Sequence, residues 1–149
     1  MEFRKMQPGD RAAMQSFFDD MGAASAGFFN RGHCNERTTM AAFDHMREDM
    51  EFYVMAEGDT IIGLFFLWAL DTCIPWMGIA VRDAWHGKHV GTTMIQSALA
   101  DLKQRGYGGL LLTTGTSNFK GQALYEKCGF VRQGVCEWGE YLYLHTFRK

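Results

Sequence analysis

The pattern of apolar and polar residues changes period near Glu51, from helical spacing to the alternation typical of strands. Before it, Glu2 to Lys5 predicts a short strand, and Asp10 is placed to cap the helix that follows. The segment from Ala23 to Asn35 is rich in small, glycine and aromatic residues and predicts a loop. Two helices with one apolar face each are expected: the first carries Met14, Phe17, Phe18 and Met21 and ends at Gly22, and the second follows Asn35 with Met40, Phe43 and Met46.

The segment after this change of period predicts three strands. Apolar residues alternate from Phe52 to Ala56, and Glu57 to Asp59 predicts a tight hairpin turn. The long apolar run from Thr60 to Leu70 suits a central strand of a sheet. A further strand is expected from about Cys73 to Val81, where Pro75 favours an edge position, a bulge, or a start one or two residues later.

The rest of the chain alternates between helix and strand, and a β-α-β crossover makes its two strands parallel. We therefore predict one α/β domain covering residues 1–149, of the mixed α+β type, with the order β-α-α-β-β-β-α-β-α-β-β. Its single sheet has about seven mostly antiparallel strands, and helices cover both faces. The elements of this part are a turn from Trp85 to Gly91, a helix to about Arg105, a strand from Tyr107 to Thr114, a helix from Asn118 to Cys128, and a hairpin of strands from Phe130 to Glu137 and from Gly139 to Phe147.

Composition and charge exclude several classes of protein. Apolar residues make up 47% and charged residues 21% of the 149 residues, which is the balance of a globular protein. The formal net charge of -2 provides no basic field for nucleic acid or for an anionic membrane surface. The longest apolar run is too short to span a bilayer, and the polar N-terminus lacks the apolar core of a signal peptide. We therefore expect a cytoplasmic protein that binds neither nucleic acid nor membrane.

The cysteines do not indicate a metal site. No two of them form a CxxC pair, so neither a zinc ribbon nor a thioredoxin-type motif is predicted. His33, Cys34 and Glu36 are too closely spaced for a metal site. We expect no metal and free thiols in a reducing compartment, at Cys34, Cys73, Cys128 and Cys136.

The first candidate site is the glycine-bearing turn His86–Gly91 at the start of the central helix. A helix start presents backbone N–H groups without partners, and the helix dipole adds partial positive charge, so phosphate or pyrophosphate can bind there. Lys88 can add a cation. Taken alone, the pattern also fits a plain turn, and it is neither a Walker A loop nor the dinucleotide-binding fingerprint.

The second candidate site lies in the following helix, which begins near Asn118 and carries Tyr125 about two turns later on the same face. Asn118 suits the N-cap of that helix. Taken alone, Tyr125 fits core packing better than catalysis, and Gly129-Phe130 fits a helix end followed by a packed aromatic residue.

The two segments together resemble the GNAT superfamily of acyl-CoA-dependent N-acetyltransferases. That family has the pattern Arg/Gln-x-x-Gly-x-Gly/Ala at the start of its central helix, followed further on by Asn-x-x-Ala/Gly-x-x-Leu-Tyr-x-x-x-Gly-Phe. The second pattern is matched in full here, from Asn118 to Phe130. The first is matched with two departures, because His86 replaces Arg or Gln and His89 replaces Gly. Since Gly lets the backbone approach a diphosphate closely, His89 is expected to weaken or re-orient binding without abolishing it.

The resemblance implies a GNAT-like fold, acetyl-CoA as co-substrate, and an amine of a small molecule or peptide as acceptor. It also implies a bulge in the strand before the turn, which splays that strand from the next one, Gly109 to Thr114, so that the cofactor enters between them. Tyr125 would protonate the departing thiolate as the catalytic residue. The residues implied to bind CoA are Gly87, Lys88, His89, Val90, Gly91 and Thr92 at the pyrophosphate, Ile79 and Val81 along the pantetheine arm and the acetyl carbonyl, and Asn118 near the pantetheine.

The general base and the exact activity stay open. Many members of the family carry a Glu on the strand before the turn, whereas Trp76 to Val81 contains no acid here. Transfer of a longer acyl group, a non-catalytic acyl-CoA-binding regulatory module, and a homodimer with strands or aromatic residues at its interface are alternatives. The candidates for the base are His33, Asp71, Glu137 and Glu140.

Overall fold

A computed structural model describes residues 1–29, 35–42 and 45–147 of the chain. Its elements follow the predicted order with one additional helix. Short 3₁₀ turns precede the first and fourth α-helices, at Pro8–Asp10 and Asp83–Trp85. The elements are β1 (Glu2–Lys5), α1 (Arg11–Asp19), α2 (Ala23–Phe29), α3 (Glu36–Ala41), β2 (Glu51–Glu57), β3 (Thr60–Trp68), β4 (Trp76–Val81), α4 (Val90–Gln104), β5 (Gly109–Thr114), α5 (Phe119–Lys127), β6 (Val131–Val135) and β7 (Tyr141–Thr146).

The strands form one seven-stranded sheet in the order β1-β2-β3-β4-β5-β7-β6. All neighbours are antiparallel except β4 and β5, which α4 connects as a β-α-β crossover. The predicted fold class, a mixed and mostly antiparallel sheet of seven strands with a central crossover, is therefore confirmed.

Helices cover both faces of the sheet and define two cores. On one face, α4 and α5 pack against the strands, with Met94 and Ile95 fully buried. On the other face, α1 packs with Met14 and Phe17 against β2 and β3. Gly63 of β3 lies under α4, because a methyl group there would come within 2.8 Å of Met94 Cε. The helix can therefore approach the sheet closely over the strand that neighbours β4.

The predicted loop from Ala23 to Asn35 is wrong in its first part, where α2 forms over Ala23–Phe29. The cause is a distant contact: the Asp83 carboxylate accepts hydrogen bonds from the Gly22 N–H and the Ser25 hydroxyl, both at 2.8 Å. These bonds satisfy donors at the start of the helix, as a local N-cap would. Residues 30–34 of the predicted loop lie outside the described part of the chain.

One predicted helix cap and two predicted boundaries differ from the structure. Asp10 does not cap α1 through its side chain. Its carboxylate instead accepts the Gln7 N–H at 2.7 Å and two bonds of 2.8 Å from Arg4. The helix ends at Asp19, before the predicted Gly22. Strand β4 begins at Trp76, directly after Pro75 and three residues after the predicted Cys73, because proline has no N–H to donate to a ladder.

Candidate active site

The parallel strands β4 and β5 separate along their length. They share the single registered pair Trp76↔Leu111, and the Leu111 N–H donates to the Pro75 carbonyl at 3.0 Å. Beyond this point β4 stays paired with β3 as far as Val81, and β5 stays paired with β7 as far as Thr114. The two strands therefore form a wedge, called the β4–β5 gap below, which is closed at the Trp76 end and open at the carboxyl ends.

The separation arises without the predicted bulge. The register between β3 and β4 runs without a shift from Trp68↔Trp76 to Gly63↔Val81. The two strands therefore splay after their single pair, although the register between β3 and β4 contains no bulge.

Backbone groups of alternate β4 residues face the gap. The Arg82 N–H donates to the Ile62 carbonyl at 2.8 Å, so the even-numbered residues of this strand bond to β3. In an antiparallel ladder, the residues between them turn their N–H and carbonyl groups to the other side. Ile79 and Val81 therefore present their backbone to the gap, as expected for positions that pair with an extended ligand.

One of these backbone groups already has a partner. The ring nitrogen Nε2 of His86 lies 2.8 Å from the Val81 carbonyl oxygen, within hydrogen-bond distance. His86 also donates its backbone N–H to the Asp83 carbonyl at 3.1 Å. The side chain that replaces Arg or Gln in the GNAT pattern is thus folded back onto the strand beside the gap.

The turn from His86 to the start of α4 has the geometry of an anion-binding turn. Gly87 and His89 adopt left-handed conformations, with φ of 75° and 65°. Left-handed residues in such turns point successive N–H groups to one side. The first backbone hydrogen bond of α4 runs from the Thr93 N–H to the His89 carbonyl, at 3.0 Å. The N–H groups of the three helical residues before Thr93 therefore have no partner within the helix. Those residues are Val90, Gly91 and Thr92.

The left-handed conformation of His89 shows why the family pattern has glycine at this position and how histidine can replace it. Glycine adopts a left-handed conformation without steric penalty, whereas other residues do so at a cost, and histidine is among those that tolerate it better. The Thr93 hydroxyl also donates to the His89 carbonyl, at 2.9 Å, and supports the conformation. The turn keeps the shape that glycine would give while exposing an imidazole.

Gly91 and Lys88 occupy different environments at this turn. A methyl group on Gly91 would come within 2.9 Å of Leu124 Cδ2, so the small residue allows α4 and α5 to meet behind the turn. Lys88 is exposed, and its Nζ lies 5.2 Å from the centroid of the Trp85 ring. It is a cation at the edge of the turn.

Asn118 is the N-cap of α5. Its Oδ1 accepts the Gly121 N–H at 3.3 Å, and its Nδ2 donates to the Thr114 hydroxyl at 3.0 Å. These bonds tie the start of α5 to the carboxyl end of β5, at the open end of the gap. The capping role considered from the sequence is therefore real.

Tyr125 is buried, with 7% of its surface exposed, between the rings of Phe130 and Tyr143 at centroid distances of 6.3 and 6.1 Å. Its hydroxyl makes no hydrogen bond with any residue that the structure describes. Burial raises the pKa of Tyr125 well above its usual value, and the negative charge of Glu140 adds to the rise. The neighbouring Tyr143 differs, because its hydroxyl donates to Glu126 at 2.7 Å. Tyr125 is thus a protonated phenol with a free hydroxyl.

The four candidate bases lie in different places. His33 is outside the described residues. Asp71 lies in the turn before β4, at the closed end of the gap, and Glu137 is exposed on the β6–β7 hairpin. Glu140 accepts hydrogen bonds from Thr113 of β5 and from Trp138, so this candidate alone among the described three is fixed near the open end.

The sequence analysis missed the pair Arg82-Asp83, which joins the turn to the first helices. Arg82 donates to Asp20 at 2.6 Å and to the Ile61 carbonyl at 3.0 Å. The Ser25 hydroxyl bond is the main cause that lowers the pKa of Asp83, with the Gly22 N–H contributing. Two adjacent charged residues between a strand and a glycine turn indicate an ion-pairing position. The sequence does not show which residues Arg82 and Asp83 bind.

A mixed sheet that opens between its parallel strands, with an anion-binding turn at the mouth of the opening, defines the class of the GNAT acyltransferases. The family described as Acetyltransferase (GNAT) family matches residues 14–130, and the chain belongs to this family. Members of the family use acetyl-CoA and act on amines. No curated protein matches the chain significantly.

Solved structures support the fold. The GNAT domain of S. lividans PAT has a TM-score of 0.84 at 15% identity, over 97% of this chain and 89% of that one. The paia N-acetyltransferase of Thermoplasma acidophilum, in complex with coenzyme A, has a TM-score of 0.79 at 15% identity, over 98% of both chains. A Salmonella typhimurium acetyl transferase that modifies the N-terminal serine of ribosomal protein L7/L12 has a TM-score of 0.80 at 12% identity, over 98% and 94%.

Two kinds of feature are absent from the residues that the structure describes. None of their helices combines the length and apolar character needed to cross a bilayer. No group of three or more His, Cys, Asp or Glu side chains there is arranged to hold a metal ion.

Proposed function

We propose that the chain is an N-acetyltransferase that moves the acetyl group of acetyl-CoA to a primary amine of a small molecule or peptide by direct attack. We propose further that it acts as a single domain over residues 1–149. The observation that carries the proposal is the β4–β5 gap, with backbone groups of β4 that face it and a glycine turn with unpaired N–H groups beside it. The buried phenol of Tyr125 on α5, which has no partner among the described residues, supports the proposal.

The residues at the gap and the turn fit CoA. The pyrophosphate would be held by main-chain N–H groups that have no acceptor of their own. The backbone of Ile79 and Val81 would bond to the pantetheine arm, in place of the pairing that β4 loses with β5. Asn118 would border the arm at the start of α5, and Lys88 would add positive charge. The pyrophosphate residues are Gly87, Lys88, His89, Val90, Gly91 and Thr92.

Tyr125 is proposed to give its proton to the departing thiolate. Its raised pKa keeps the phenol protonated at neutral pH. Desolvation in the same gap also raises the pKa of a thiol, so donor and acceptor stay matched in basicity. Holding both reactants in line would supply much of the rate, and backbone N–H groups of β4 would stabilise charge on the acetyl oxygen.

The acceptor is proposed only as a class. One structural relative is described as modifying the N-terminal serine of a ribosomal protein, which makes a peptide amine a reasonable member of a test panel. At 12% identity that relative supports the fold alone. The panel should therefore include polyamines, a lysine-containing peptide and a peptide with a free N-terminal serine.

Release of free CoA thiol from acetyl-CoA, measured with this panel, tests the proposal. We expect saturable CoA binding and turnover of at least one amine. Binding without turnover of any amine would support the regulatory module instead, which the missing acid on β4 favours. Propionyl- and butyryl-CoA would test the acyl length, and light scattering would test the alternative of a homodimer.

A further inference from the structure

Glu140 lies where the sheet opens. It directly precedes β7, and the Thr113 hydroxyl of β5 donates to its Oε1 at 3.1 Å. Thr113 is next to the last residue of β5, beyond the point where pairing with β4 stops. The carboxylate therefore lies at the carboxyl end of β5, beside the mouth of the β4–β5 gap.

Glu140 and Tyr125 approach the gap from opposite faces of the sheet. Side chains alternate along a strand, and Leu112 of β5 enters the core that contains Tyr125. Thr113, the neighbour of Leu112, faces the other way, so the carboxylate that it binds lies on the face opposite to Tyr125. Burial is the main cause that raises the pKa of Tyr125, and the negative charge of Glu140 adds to the rise.

The carboxylate is held at one oxygen and free at the other. The Trp138 indole N–H donates to the same Oε1 at 2.7 Å. The second oxygen, Oε2, has no hydrogen-bond partner among the residues that the structure describes. Trp138 is 56% exposed, so the indole that bonds to this carboxylate lies at the surface. A carboxylate oxygen beside an exposed indole is the combination that recognises an ammonium group.

Resting on the proposed function, we propose that Glu140 receives the acceptor: its free oxygen binds the ammonium group of the amine and takes one proton from it. The neutral nitrogen then bonds to the acetyl carbon while the carbon–sulfur bond breaks. Tyr125 gives its proton to the sulfur and recovers one from the new amide nitrogen. Glu140 releases its proton to water, so one ammonium and one thioester become an amide, a thiol and one proton.

The other two described candidates for the base do not fit this role. Asp71 lies at the closed end of the gap, away from the carboxyl end of β5. Glu137 is exposed on the same hairpin and makes no hydrogen bond with a described residue. Glu137 is therefore the matched control for a charge change at Glu140.

The first test measures ammonium binding without turnover. The probe is n-butylammonium, added to the CoA complex at millimolar concentration, and the readout is the Trp138 indole N–H resonance, assigned by its absence in Trp138→Phe. We expect a saturable shift in the wild type and in Glu137→Gln, and none in Glu140→Gln, which keeps an acceptor for the indole but loses the charge. An unmoved resonance in the wild type, or an equal shift in Glu140→Gln, would overturn the proposal. Equal CoA affinity of both variants checks that they are folded.

The second test uses the pH dependence of kcat/KM with an amine that the wild type accepts. Glu140→Gln should lose at least about tenfold at neutral pH, and the loss should shrink as the pH approaches the pKa of the amine, because solution then supplies the neutral form. A merely structural role would lower the rate equally at every pH. After burial, the negative charge of Glu140 adds to the raised pKa of two described groups, Tyr125 and Cys136. The variant Cys136→Ser controls for titration of the thiol.

The two proposals fail in different ways. A wild type that binds butylammonium at Trp138 but acetylates no amine would overturn the proposed function and the proton transfer with it, leaving a cation site. A wild type that acetylates amines, with Glu140→Gln matching it at every pH, would overturn the role of Glu140 alone.

Discussion

His89→Gly should stabilise the folded chain, although it removes a side chain. His89 has φ of 65° and ψ of 14°. A left-handed conformation costs an L-residue roughly 1–2 kcal/mol, with histidine at the lower end. Glycine avoids that cost but loses about 0.5–1 kcal/mol more conformational entropy on folding. The net gain is between zero and about 1 kcal/mol, which corresponds to a rise in Tm of up to about 4 °C for a chain of this size.

Two control variants separate strain relief from other effects. His89→Val puts a β-branched residue at positive φ, where it is an outlier, and should lower Tm below that of the wild type. Lys88→Gly changes the neighbouring residue, which is not left-handed, so glycine relieves no strain there. The entropic cost and the lost contact with the Trp85 ring should both lower Tm. The expected order of Tm is therefore His89→Gly, then wild type, then His89→Val and Lys88→Gly.

Thermal unfolding without and with CoA tests this order. CoA should raise the Tm of His89→Gly by more than that of the wild type, because the smaller residue lets the backbone approach the diphosphate. A Tm of His89→Gly below the wild type would refute the strain argument. An equal CoA-induced rise in both proteins would refute the steric effect of His89 on the diphosphate.

Three further predictions follow from single contacts. Tyr125→Phe should lower kcat by at least about tenfold with an unchanged Kd for CoA, as expected of a group that acts in the transition state, and an unchanged kcat would remove it from the mechanism. His86→Ala should free the Val81 carbonyl and tighten CoA binding between about two- and tenfold by calorimetry, the equivalent of about 0.5–1.5 kcal/mol; weaker binding would contradict this. Hydrogen bonds from Arg4 lower the pKa of Asp10, so its contribution to stability is present above the unfolded pKa and is lost as the pH falls through the folded one. Asp10→Asn should therefore flatten the acid limb of the curve of unfolding free energy against pH, and an unaltered limb would argue against the pairing.

Features that depend on neighbouring residues could be predicted from the sequence. Strand β1 has the predicted bounds, Glu2–Lys5, and the β2–β3 hairpin turns at Gly58, whose φ is 60°. The helix after the glycine turn begins at Val90, within the turn's predicted span. Period and turn chemistry act within a few residues, so a single sequence carries them.

Features that depend on which of several possible partners a side chain binds could not be predicted. Local propensity did not reveal α2, because Asp83 satisfies the donors at its start from 61 and 58 residues away. Asp10 suits an N-cap in sequence, but Arg4 takes its carboxylate. The environment of Tyr125 depends equally on Tyr143, which lies 18 positions further along the chain and packs against its ring.

Asp83 presents an electrostatic conflict at the mouth of the β4–β5 gap, because a carboxylate near an anion-binding turn should repel a diphosphate. In the structure this carboxylate is hydrogen-bonded to the start of α2. The Ser25 hydroxyl and the Gly22 N–H occupy both oxygens, and the charges of His86 and Lys120 also favour the ionised form, so the pKa of Asp83 is lowered. The carboxylate therefore stays ionised, and both of its oxygens are bonded to donors at the start of α2. A diphosphate at the glycine turn would thus meet an acid whose oxygens are already occupied, and the backbone N–H groups of the turn would have to outweigh the remaining repulsion.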